Sequence, residues 1–184
     1  MKKHCLAFAA VLLFSGCNMP SADGPAGGNQ PSNVGKPAPP LVAETWLNGP
    51  GPSVSELQGK VVVVDAWAYW CGPCARAAPE VVAAYKEYSP KGVVFLGLTG
   101  EGIDSESESR EFVESHGLTW PNGLGAMNTL EALQVQYLPT LLVIDANGDI
   151  AWRSEVGGDL HSAIDAALAT AKNSSAGSPP NTGG

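Results

Sequence analysis

Trp70-Cys71-Gly72-Pro73-Cys74 is the segment of this 184-residue chain whose residue types and spacing carry chemistry. It sits between a run of β-branched residues, Val61-Val62-Val63-Val64, and a stretch with helical spacing that begins at residue 72. Two cysteines separated by two residues at a helix start lie about one turn apart, close enough to close a small disulfide. Unpaired N–H groups and the dipole of the helix N-terminus favour a thiolate on the first, Cys71. Pro73 is tolerated in a first turn, where its missing N–H costs little. Such a pair is a redox centre, a metal half-site or a local structural disulfide. The other cysteines, Cys5 and Cys17, lie near the N-terminus, so no further thiol of the folding region is left for a partner. A zinc site would need two more ligands. His116 and His161, the histidines of that region, are distant in sequence, whereas structural zinc favours paired motifs.

The elements that must position this pair alternate. Val61–Val64 reads as a strand buried on both faces, and Val93–Leu98 as a second. Thr140–Ile144 and Ile150–Arg153 read as two more, joined by the turn Asp145-Ala146-Asn147-Gly148-Asp149, whose Asn-Gly step suits a tight hairpin. Helices are expected over 72–88, 105–116, 127–135 and 159–171. Ser105 and Glu108 fit a capping box, and Asp159 fits an N-cap. Trp67 is expected in the core, and the run Glu101–Glu114 as a solvated acidic face, with a docking surface for a basic partner as the alternative. The order β-α-β-α-β-β-α predicts an α/β fold with a mixed sheet and helices on both sides.

The ends read differently. Lys2 and Lys3 precede the apolar run Leu6–Phe14, too short to span a bilayer as a helix. Leu13-Phe14-Ser15-Gly16-Cys17 follows and resembles a bacterial lipobox, with Phe14 where a leucine is usual. That resemblance implies cleavage before Cys17, a lipid on Cys17 and a location outside the cytoplasm. We therefore divide the chain into a lipoprotein signal (1–17), a flexible tether (18–34), a folded domain (35–172) and a disordered tail (173–184). The tether and tail are rich in Pro, Gly, Ser and Asn and hold too little apolar surface to offset their ordering entropy. A net charge of −8 argues against nucleic-acid binding, which needs a basic face. Hydrophobic residues at 44% exclude a wholly disordered chain.

Val64-Asp65-Ala66-Trp67-Ala68-Tyr69-Trp70-Cys71-Gly72-Pro73-Cys74 resembles the active-site segment of thioredoxin, with Pro79 in the following helix and Leu138-Pro139-Thr140 as the cis-proline loop. The start Val34-Gly35-Lys36-Pro37-Ala38-Pro39 and the insertion over 99–137 resemble the membrane-anchored, extracytoplasmic TlpA/ResA branch. The resemblance implies a thioredoxin fold with an N-terminal extension and an insertion before the cis-proline loop. It implies a thiol-disulfide oxidoreductase with no cofactor beyond the Cys71–Cys74 disulfide and no metal.

By the same resemblance, Cys71 attacks, Cys74 resolves and Asp65 moves a proton to and from Cys74, with burial raising its pKa. Trp70, Gly72, Pro73, Leu138 and Pro139 would form the substrate groove. Several ResA-type proteins carry a glutamate three residues after the second cysteine; Ala77 stands there, which leaves Asp65 as the nearby acid. Gly-Pro between the cysteines is the thioredoxin pair. Thioredoxin lies about 150 mV below the oxidant DsbA, a gap of about 7 kcal/mol for two electrons. The expected activity is therefore reduction of protein disulfides in the cell envelope, for example in cytochrome c maturation. The implied partners are a protein disulfide, a membrane electron donor of the DsbD or CcdA type, and the membrane itself. A monomer is expected, since an anchor removes any need for assembly. A disulfide oxidase or isomerase on the same fold, and a non-catalytic metal-binding lipoprotein, are the alternatives.

Overall fold

The computed structural model describes residues 33–176. The signal, Cys17 and nearly all of the tether lie outside the described residues, as does the end of the tail. Six strands form one mixed sheet in the order β1-β4-β3-β2-β5-β6. They are β1 (Thr45–Leu47), β2 (Val62–Ala66), β3 (Val94–Leu98), β4 (Asn122–Leu124), β5 (Thr140–Ile144) and β6 (Ile150–Arg153). β2 runs parallel to β3 and antiparallel to β5. β3 and β4 are parallel, while β1–β4 and β5–β6 are antiparallel.

Strand alternation sorts the side chains into two cores. Val63, Phe95 and Val143 face one side, where they meet Val81 and Tyr88 of α2 (Gly72–Tyr88), Phe112 of a later helix and Ile164 of the last helix. Val62, Val64, Leu96, Leu98 and Leu142 face the other, against Leu130 and Leu133. Both faces are covered, which is why the β2 run is apolar without alternation. Leu96 has no exposed surface, and truncating such a residue to Ala typically costs about 2–5 kcal/mol.

The four expected strands are present. Two strands and a helix are not legible in the sequence. β1 and β4 are three residues each, and β4 contains Asn122 and Gly123, both poor strand formers. Gly123 is needed there, since a Cβ would stand 2.6 Å from that of Ala43. The one-turn α1 (Val54–Leu57) carries a complete capping box between Ser53 and Glu56. The box expected at Ser105 and Glu108 is absent. Ser105 ends a 3-10 turn that leads into α3 (Glu106–His116) and makes no side-chain cap. The turn itself supplies acceptors, Gly102 O for the Ser105 N–H and Ile103 O for that of Glu106.

α4 is shorter than expected (Met127–Ala132). α5 (Leu160–Ala176) is longer, passing residue 171 and entering the segment expected as tail. Asp159 does cap it, accepting from the Ser162 N–H at 2.9 Å. At the N-terminal side the fold already includes Asn33, which is buried and accepts from Arg153 at 2.7 Å.

Candidate active site

The pairing of β2 with β5 sets Ala66 opposite Thr140. The chain leaving β2 toward the cysteines and the chain entering β5 from Pro139 therefore lie at the same end of the sheet. That register brings together two segments remote in sequence. The Leu138–Pro139 peptide bond is cis. Thr140 Oγ1 donates to Tyr137 O at 2.8 Å and to Glu155 Oε1 at 3.3 Å, which braces the loop.

After β2, Trp67 and Ala68 are buried and the Cys71 N–H donates back to Ala68 O at 3.0 Å. This turn delivers Cys71 to the N-cap position of α2, with extended backbone angles. Cys71 and Cys74 are joined by a disulfide. The Cys74 N–H donates to Cys71 Sγ at 3.1 Å. When the bond is reduced, that N–H and the helix dipole favour negative charge on Cys71 sulfur. Burial does not separate the two cysteines, each being 4% exposed. The cap geometry does, because Cys71 is the N-cap and its sulfur accepts from a first-turn N–H, that of Cys74. Gly72, Pro73 and Trp70 beside the pair are exposed.

Asp65 shares the β2 face of Val63 and Trp67, the face against which α2 and both cysteines pack. It is flanked in register by Gly97 and Leu141. Its carboxyl is buried, and burial alone pushes its pKa from 3.8 up to about 7. A group with that value exchanges a proton near neutral pH.

Trp70 and Trp67 have opposite surroundings. Trp67 is core, stacked on Phe112 at 4.9 Å, with its Nε1 donating to Asn122 Oδ1 at 3.1 Å. Trp70 is 64% exposed and its Nε1 donates to Glu101 Oε1 at 2.7 Å. The other oxygen of Glu101 accepts from Thr99 Oγ1. Glu101 is thus half-buried and fixed, which corrects its placement in a solvated acidic face, whereas Phe112 and Val113 of the same run are buried as the apolar face expected of an amphipathic helix. Nothing in the local sequence pattern separates Glu101 from its acidic neighbours. Its partner Trp70 is brought to it by the fold.

A cavity of about 180 Å³ opens between Trp70 and Leu138, at the cysteine end of the sheet. A larger one, about 390 Å³, lies at the other end of β2, lined by Pro39, Pro40, Val54 and Lys60, away from the cysteines. Among the described residues no group of three His, Cys, Asp or Glu side chains is placed to hold a metal ion. Nor is any helix there long and apolar enough to cross a membrane.

Comparison with known proteins places this geometry. Residues 33–168 match the family model described as Redoxin. The chain is 29% identical over 154 residues to the thiol-disulfide oxidoreductase ResA of a Bacillus cereus strain, covering 82% of this chain and 87% of that one. It is 31% identical over 125 residues to ResA of Bacillus subtilis, covering 67% and 68%. Its fold superposes with a TM-score of 0.61 on the thioredoxin domain of a thiol-disulfide oxidoreductase from Bacteroides vulgatus, at 20% identity, covering 75% of this chain and 97% of that one.

Proposed function

The chain belongs to the Redoxin family as a thioredoxin-like thiol-disulfide oxidoreductase of the ResA type, and from that premise we propose that it reduces protein disulfides in a bacterial cell envelope. The observation that carries this reading is the Cys71–Cys74 disulfide at the N-terminus of α2, with exposed Trp70 on one side and the Pro139 loop at the same sheet end.

In the reduced protein, Cys71 thiolate attacks one sulfur of a substrate disulfide. A mixed disulfide forms and the first substrate thiolate leaves. Cys74 then loses its proton to Asp65 and attacks Cys71 sulfur. The Cys71–Cys74 disulfide forms, the second substrate thiolate leaves, and the proton returns to it from Asp65. Two electrons pass from protein to substrate. The helix N-terminus holds the first thiolate, and buried Asp65, with a pKa of about 7, serves the second. Trp70, Gly72, Pro73, Leu138 and Pro139 line the approach to the pair.

The envelope location and the lipid on Cys17 rest on the lipobox-like segment of the sequence. An oxidising compartment requires that electrons be resupplied, which suits a membrane donor of the DsbD or CcdA type. The thiol pair of an apocytochrome c is a substrate of the right kind. Equilibration with defined thiol–disulfide buffers tests the direction. A potential near that of thioredoxin, about −270 mV, supports a reductant; one near that of DsbA, about −120 mV, overturns it in favour of an oxidant. Labelling with palmitate, lost in Cys17→Ser, tests the anchor.

A further inference from the structure

We propose that the cavity bounded by Trp70, Glu101, Met127, Glu131, Tyr137 and Leu138 is a subsite for a lysine or arginine side chain of the substrate protein, next to its disulfide cysteine. The proposal rests on the reading of this chain as a reductant of protein disulfides and names the substrate class.

Three observations meet here. First, position: Trp70 directly precedes Cys71 and Leu138 directly precedes Pro139, so a side chain in the cavity belongs to a residue close to the reacting sulfur. Second, charge: two carboxylates line the cavity, Glu101 and Glu131, and no Lys, Arg or His does. Glu101 is oriented by the Trp70 indole and the Thr99 hydroxyl, both neutral donors, which fix the carboxylate without cancelling its charge. Among the described residues neither glutamate forms an ion pair. Third, shape: the remaining lining includes Met127, Leu130, Val135, Tyr137 and Leu138, apolar walls that suit an aliphatic stem. Trp70 presents a largely exposed ring on which a cation can sit. A long stem with a positive head fits this lining, whereas an acidic side chain would meet two like charges.

The test uses oxidised peptides that differ only in the residue beside one cysteine, which is Lys, Arg, Leu or Glu. Each is mixed with the pre-reduced chain in a single turnover, and the second-order rate constant is read. The Lys and Arg peptides are expected to react about fivefold or more faster than the Leu peptide, and the Glu peptide more slowly. In Glu101→Gln/Glu131→Gln the Lys-to-Leu ratio is expected to fall toward one. Because the ratio is taken on one preparation, any loss of folded protein cancels. Equal rates for Lys and Leu on the parent overturn the proposal. So does a preference that survives in the double variant, which would assign it to the net charge of −8 rather than to this cavity. Reaction of the parent with 2-hydroxyethyl disulfide, which has no side chain for the subsite, separates the two levels. If that fails as well, the reductant reading itself falls, and the subsite with it.

Discussion

The indole of Trp67 donates to Asn122 Oδ1 at 3.1 Å, tying the turn before the cysteines to the short strand β4 across 55 residues of sequence. Asn122 in turn donates to Trp120 O at 2.6 Å and Leu118 O at 3.2 Å. The bond passes close over Gly97 of β3, where a Cβ would overlap Asn122 Oδ1 and stand 2.7 Å from Trp67 Nε1. Gly97 also lies beside Asp65 in register. One glycine thus leaves room for the clasp that holds the active-site loop.

Gly97→Ala is therefore expected to destabilise the protein by about 3 kcal/mol, through overpacking and loss of a buried hydrogen bond. Urea unfolding checks this, as a lower midpoint with an unchanged slope. A midpoint within error of the parent would mean that the clasp rearranges freely.

Asp65 makes stability depend on pH. Its pKa is 3.8 in an ordinary setting and about 7 when buried here. Between those values the folded protein keeps a proton that the unfolded chain has released. Stability must then fall as pH rises through this window and level off above it, by a sum on the order of 4 kcal/mol. Asp65→Asn removes the ionisation. The oxidised variant should be more stable than the parent at pH 8, with the gain vanishing at pH 3 to 4. Denaturant titrations at both pH values check this; a gain independent of pH would contradict it.

The cap geometry of Cys71 predicts an asymmetry that residue burial does not. Cys74→Ser should accumulate a mixed disulfide through Cys71, because the attacking thiolate is kept and the resolving thiol is lost. Cys71→Ser should accumulate little, since Cys74 sulfur lacks the N-cap position. Mass spectrometry after incubation with an oxidised peptide reads both. Equal trapping by the two variants would refute the assignment.

Arg153 holds the fold on the Pro139 side. Its guanidinium is buried and donates to Asn33 Oδ1, Leu133 O, Gln134 O and the carboxylate of Glu155. Glu155 also accepts from Thr140, next to Pro139. Arg153→Met withdraws the guanidinium donors from all of these acceptors and removes the charge partner of Glu155, and should cost about 3–5 kcal/mol. Arg153→Lys keeps the charge without the planar fork and should lose an intermediate amount. Thermal unfolding of both checks the order.

Some of this is legible in the residues themselves. The strand before Cys71, the helix after it, the pair β5–β6 and the Asp159 cap follow from local patterns: a β-branched run, a two-residue cysteine spacing, an Asn-Gly turn and a helix-starting aspartate. Such patterns act over a few residues, so a linear reading contains them. The burial of Asp65 follows from the resemblance to thioredoxin, and the residue sits within a run that packs on both faces.

Other features belong to the tertiary structure alone. Glu101 is one acid among many in the sequence, and only folding brings Trp70 to it across 31 residues. Arg153 reads as a strand terminus, yet it meets Asn33 across 120. β1 and β4, three residues each, are too short to announce themselves, and form because β4 pairs with β3 on one side and with β1 on the other. Sequence by itself determined which atoms can exchange a disulfide and which helix end favours the thiolate. Only the tertiary structure decided what surrounds them, because the Ala66–Thr140 register, the cavity and its two carboxylates depend on pairings between segments that no local pattern connects.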